Sequence, residues 1–155
     1  LNGGSNVGEL ENVRLVPGDF LDIDIADRFD KILIYSVVHY LKTFDQMLAL
    51  IDKSLDLLKP DGIVLVGDLP NSDLKERFLN SDSGRAFLQD WNAQMQMNPA
   101  SFNSQIPRVL GSFTDTEMGE VVARYRARGY SAWVVPQPPE LPFGHTREDL
   151  LIKRY

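Results

Sequence analysis

The sequence contains no cysteine. This excludes disulfides, thiolate catalysis and cysteine-ligated zinc, and with no secretory signal visible it sets the expectation of a cytoplasmic protein. No apolar run approaches the roughly 20 residues of a membrane-spanning helix. Positive charge is also short: 16 Lys and Arg against 22 Asp and Glu leave a net charge of −6. Such a chain has no basic field for gripping phosphate backbones, so nucleic acid is disfavoured as the main partner. Internal repeats and low-complexity tracts are absent too. What is there is 155 residues with 43% hydrophobic content, enough for one domain with a core or for most of a larger one, but not for two independent domains. The first residues are LNGGSN, without an initiator methionine, and the expectation is that upstream sequence is missing.

Two kinds of pattern organise the chain. NVRLVPGDF (12–20) reads as a short strand ending at Asp19, and KILIYS (31–36) and IVLVGD (63–68) are nearly continuous runs of β-formers. Runs without alternation suit strands buried on both faces, as in a parallel sheet. Between the last two, Thr43 and Gln46 stand at capping-box spacing, and Phe44, Met47, Leu48, Ile51, Leu55 and Leu58 recur every three or four residues. That is an amphipathic helix, stopped by KPDG. Strand, helix and strand with short joints make the right-handed crossover of a parallel sheet. The stretch 69–113 is richer in Asn, Ser, Gln and Met, with Phe87, Leu88, Trp91 and Met95 on one helical face, and reads as a helical cap or insertion. Thr114 and Glu117 open a second helix with Met118, Val121, Val122 and Tyr125 inward, and Gly129 closes it. YSAWVV (130–135) and DLLIKRY (149–155) then read as two strands joined by a long proline-rich loop and able to pair antiparallel. Arg124, Arg126 and Arg128 are spread around the second helix and read as a solvated face.

In open parallel sheets, ligands bind beyond the carboxyl ends of the strands. Asp19, Ser36 and Asp68 each stand at such an end. Either is an ordinary residue for a strand becoming a loop, but the three together mark one edge of the sheet as the candidate site.

NVRLVPGDFLD, FDKILIYSVVHYL and LLKPDGIVLVGDLP resemble the third, fourth and fifth strands, with their connections, of the class I S-adenosylmethionine-dependent methyltransferases. The ending, from RARGYSAWVV to DLLIKRY, is similar to that family's last helix and its sixth and seventh strands. The resemblance implies an α/β, Rossmann-like, doubly wound, mostly parallel sheet with an antiparallel last strand, forming a single domain over 1–155 with its cap at about 69–113. The family's glycine-rich loop and the acidic residue that ends its second strand are absent, so the first two strands are expected to lie outside this sequence.

The resemblance further implies S-adenosylmethionine as cofactor, with no metal. Asp19 would accept a hydrogen bond from the adenine amino group, with Phe20 beside the ring, and Tyr35 and Ser36 would lie near the methionine part. His39 reads either as a base or as a packed histidine at the turn after the fourth strand. His145, in the loop before the last strand, reads either as a base near the acceptor or as a solvated loop residue. Asp68, Trp91, Met95 and Phe102, with Met97, are candidates for the acceptor pocket, or anchor the cap to the core. An acidic chain with a modest cap fits a small or sugar-like hydroxyl, amine or carboxylate acceptor. Competing readings are a nicotinamide-dependent dehydrogenase, which would need its own glycine loop, a methyltransferase-like binding or scaffolding protein without activity, and an unrelated doubly wound module. The oligomeric state is not legible.

Overall fold

A computed structural model of the chain describes residues 12–97, 111–141 and 143–155, with the backbone alone at 94–97. Its elements run β1 (Phe29–Tyr35), α1 (Phe44–Asp56), β2 (Leu58–Pro70), α2 (Ser72–Leu79), α3 (Asp82–Met97), α4 (Asp115–Ala127), β3 (Ser131–Pro136) and β4 (Arg147–Lys153). The strands form one sheet in the order β1-β2-β4-β3. β1 and β2 are parallel, and β4 is antiparallel to both of its neighbours.

The caps follow the sequence pattern. Thr43 Oγ1 accepts from the Gln46 N–H at 3.2 Å, while Gln46 Oε1 reaches past the cap to the Lys42 N–H at 2.8 Å. At α4 the box is complete in both directions, between Thr114 and Glu117. Gly129 ends that helix at φ +88°, a left-handed geometry that costs glycine least.

Register decides what each face of the sheet does. Ile34, Val66, Leu150 and Val134 form one row across it, and Ile32, Val64, Ile152 and Ala132 another. These rows pack with Met47, Ile51 and Leu55 of α1 and Met118, Val121 and Tyr125 of α4 in a single core cluster. Burying each such side chain is worth about 1.5–3 kcal/mol. The opposite face carries the row Leu33, Leu65, Leu151 and Trp133, where Leu33 is 67% and Trp133 39% exposed.

One expectation is corrected. Residues 12–20 form no strand: a strand needs a ladder partner, and the described sheet offers them none. The turn that follows it is held to α1 by Lys53 Nζ, which donates to the Leu21 and Ile23 carbonyls at 3.1 and 2.5 Å. The arginines at the end of α4 are exposed, as a solvated face requires, and also tie the helix to its neighbours. Arg128 and Arg124 both pair with Asp52 of α1, and Arg126 Nε donates to the Ala132 carbonyl at 2.9 Å.

Within 69–113 the described helices α2 and α3 meet around Phe78 and Phe87, whose rings lie 5.7 Å apart. A Cβ at Gly84 would fall 2.6 Å from the Phe78 carbonyl carbon and 2.9 Å from the Leu79 Cα. Backbone atoms cannot yield to it without parting the two helices. Gly84→Ala is therefore expected to cost about 1–3 kcal/mol, seen as a lower urea midpoint, and an unchanged midpoint would show that the helices slide freely. No described helix is long and apolar enough to cross a membrane.

Candidate functional site

The site grows from the ends of β1 and β2. Their parallel pairing sets Tyr35 opposite Gly67, and the Tyr35 ring lies across that glycine, where a Cβ would come within 2.5 Å of Cε2. Immediately beyond, Ser36 and Asp68 hold left-handed backbone at φ +57° and +66°. For residues other than glycine this costs on the order of 1–3 kcal/mol and persists only where surrounding contacts enforce it.

Those contacts are polar and partly buried. Ser36 Oγ donates to Asp68 Oδ2 at 2.6 Å, and Arg147 Nη1 donates to Asp68 Oδ1. The Asp68 N–H donates in turn to Asp149 Oδ1 at 3.0 Å. Gln137 Nε2 donates to the same Asp149 oxygen at 2.7 Å and to the Tyr35 hydroxyl at 3.1 Å. Arg147 is only 4% and Asp68 9% exposed. The partial burial of the Tyr35 hydroxyl, then the carboxylates of Asp149 and Asp68, hold that phenol above its ordinary pKa.

Two cavities open on this network. The smaller, about 320 Å³, is lined by Tyr35, Ser36, His39, Asp68, Gln137 and Arg147 among others. The larger, about 750 Å³, lies between the cap helices and the strand ends, with Phe78, Phe87, Trp91 and Phe143 in its walls. Phe143 and Arg147 line both.

The expected site residues are thus distributed unevenly. Tyr35, Ser36, His39 and Asp68 come together. His39 is 3% exposed, on a short 3₁₀ turn (Val38–Tyr40) after β1, with its ring 4.3 Å from that of Tyr40. Asp19 is exposed and closes its own turn, accepting the Leu21 N–H at 2.9 Å. Phe20 is half-buried beneath Lys53 Nζ at 5.2 Å. Neither Asp19 nor Phe20 lines either cavity. His145 stacks on Phe78 at 4.5 Å and 11° in the cap cluster and also lines neither cavity. Trp91 lines the larger cavity, the Met95 and Met97 side chains are not among the described ones, and Phe102 lies outside the described residues.

A second polar knot ties cap to sheet. Asp115 pairs with Arg77 of α2 and accepts from Asn71 Nδ2 at 2.9 Å, and these two partners, in that order, lower its pKa. A lowered folded pKa means stability that is present above the unfolded value and lost as pH falls through the folded one. Acid titration is expected to loosen α2 from α4 below the ordinary carboxylate range. Hydrogen exchange at the α2 amides should show this in the parent chain and little further change in Asp115→Asn.

Solved structures share the fold of this chain. A provisionally assigned O-methyltransferase from Nostoc punctiforme aligns with a TM-score of 0.52 over 90% of this chain and 35% of its own, at 18% identity. The plantazolicin methyltransferase BpumL, solved with a monoazolic desmethylPZN analogue and SAH, aligns at 0.51 over 89% of this chain and 57% of its own, at 16% identity. This is the Rossmann-like methyltransferase fold. At such identities the likeness is one of fold alone. Among curated proteins, the chondramide synthase cmdD of Chondromyces crocatus is 40% identical over 73 residues, which is 45% of this chain and 2% of that protein. This chain therefore spans only a small part of that relative and about a third to a little over half of the two structures. No family profile matches the sequence.

Within this methyltransferase fold, the sequence reading missed Arg147, Asp149 and Gln137. Arg147 and Asp149 sit two apart at the start of a central strand, so both point to one face. The charges at alternate positions 147 and 149, where the loop becomes the strand DLLIKRY, are the available signal.

Proposed function

We propose that a protein carrying this sequence transfers the methyl group of S-adenosylmethionine to a small-molecule acceptor, and that Tyr35, Ser36, Asp68 and Arg147 face the methionine end of that cofactor. The carrying observation is the buried Asp68–Arg147 pair, which joins the carboxyl end of β2 to the start of antiparallel β4. The methionine end bears an ammonium, and the Asp68 carboxylate in the cavity wall, fixed in place by Arg147, offers it a partner of opposite sign. Tyr35, His39 and Phe143 add aromatic faces that suit a sulfonium cation. The residues present therefore fit this end of the group, and the likeness to BpumL, solved with SAH, supports the choice. Asp19 and Phe20 enter only through the family resemblance, as the adenine side.

When bound, the cofactor supplies an electrophilic methyl group. The chain's own share is to hold the acceptor in line, keep bulk water out and, where a hydroxyl or amine must lose its proton, receive it at His39. In this reading 69–113 is the acceptor-side cap of one domain, in a cytoplasmic protein. The second reading is a methyltransferase-like binding or scaffolding protein without catalytic activity.

Calorimetric titration separates the two. A protein carrying this sequence should bind S-adenosylmethionine or SAH, and no heat with either would sink the enzyme reading. Asp19→Ala should weaken binding about ten- to a hundredfold, the loss of one charge-assisted hydrogen bond. Unchanged affinity would leave Asp19 a turn residue.

A further inference from the structure

We infer that the larger cavity receives a planar aromatic acceptor that carries a phenolic oxygen, and that Arg147 holds this oxygen. The inference rests on the methyl-transfer reading for its word "acceptor", but its structural basis is separate.

The walls come first. Phe87 lies 5.8 Å from Trp91 at an interplanar angle of 25°, and Trp91 lies 6.1 Å from Phe143. With Phe78 they form a continuous aromatic lining. None of the four belongs to the core cluster or packs against it, so they do more than extend the core. At about 750 Å³ the space falls within the range that encloses small organic ligands. Flat rings gain most from such walls, by offset or edge-to-face contact.

Of the polar lining, which also includes Lys75, Glu76, Asn80, Ser112 and Thr146, the two residues that follow β2 are already committed within the protein. Asn71 Oδ1 already accepts from the Leu74 N–H, and its Nδ2 donates to Asp115 and Glu148. Ser72 Oγ donates to the Phe113 carbonyl. A sugar would need many free side-chain partners, and these two are engaged within the protein.

Arg147 is placed beside the aromatic walls to hold an oxygen. Its guanidinium lies 4.5 Å over the Phe143 ring and gives one N–H to Asp68, and no other hydrogen bond of its side chain is found among the described residues. An arginine has five such donors. Because Asp68 balances its charge, the remaining donors suit a neutral or weakly acidic oxygen and do not demand a full anion. Arg147 also lines the smaller cavity, so an oxygen held there stands at the junction of the two spaces, where an acceptor atom would meet the methyl donor.

The test needs no cofactor. Trp91 and Trp133 are the two tryptophans, so a Trp133→Phe background leaves Trp91 as the reporter of the cavity. Calorimetry and Trp91 fluorescence would follow 2-naphthol, naphthalene and methyl glucoside. Saturable binding of 2-naphthol at least tenfold tighter than naphthalene, no response to methyl glucoside, and at least tenfold weaker 2-naphthol binding in Phe87→Leu, which removes the ring but keeps an apolar side chain between the helices, would support the inference. Equal binding of naphthalene would overturn the role of Arg147, and a response to methyl glucoside matching that to 2-naphthol, or no saturable binding of 2-naphthol, would overturn the inference outright. Failure here with retained heat from S-adenosylmethionine removes only the acceptor class. Binding of 2-naphthol by a protein silent to the cofactor removes only methyl transfer.

Discussion

Arg147→Met is expected to destabilise the chain by about 3–5 kcal/mol, because it leaves the Asp68 carboxylate buried without its counter-charge. Methionine fills a similar volume, so the loss is electrostatic and not a cavity effect. The pair spans 79 positions of sequence and joins β2 to β4 at the candidate site, so the damage should reach both strands. The double variant Arg147→Met with Asp68→Asn should recover at least half of the loss. Asparagine keeps a side chain of the same shape, removes the orphan charge and tolerates left-handed backbone. Urea unfolding of the single and double variants measures this. A single variant within 1 kcal/mol of the parent would mean that water already solvates Asp68.

The histidines should differ by orders of magnitude in turnover. His39 shares the smaller cavity with Ser36 and Asp68, whereas His145 is stacked on Phe78 in the cap. In the methyl transfer proposed here, His39→Ala is expected to lower kcat by about 10²–10⁴-fold and to remove the acidic limb of the pH–rate profile, as loss of a general base does. His145→Ala should act mainly on the KM of the acceptor. If His39 is only packed, its variant would show a lower melting temperature with kcat and pH profile intact. A collapsed kcat in His145→Ala would reverse the assignment. Of the two alternatives that the sequence left open for each residue, stacking in the cap favours a non-catalytic His145, and the cavity wall favours a chemical role for His39.

What could be read from the sequence followed the range of the forces involved. Helices α1 and α4 were legible because caps and three-to-four spacing act within a turn or two, and Thr114 with Glu117 closes the box as read. The β1 and β2 runs and the antiparallel last pair were legible from hydrophobic patterning and loop length. The strand expected at 12–20 failed because a strand is a property of two segments, and the apolar run NVRLV could not report a missing neighbour. The candidate site divides in the same way. Tyr35, Ser36 and Asp68 announce themselves as polar groups ending apolar runs, while Arg147, Asp149 and Gln137 matter only through partners 79, 81 and 102 positions away.

The left-handed backbone at residue 68 narrows the set of amino acids that can stand there. Glycine would relax the main chain but abandon both Ser36 and Arg147. Glutamate would keep the charge but gives up the short side chain that makes such a φ tolerable, and β-branched residues fit neither demand. Only asparagine comes near, and it brings no charge. A saturation library at this codon should therefore retain almost nothing but the parent residue, whereas one at exposed Asp61, left-handed at φ +61° but without a buried partner, should also admit glycine and asparagine.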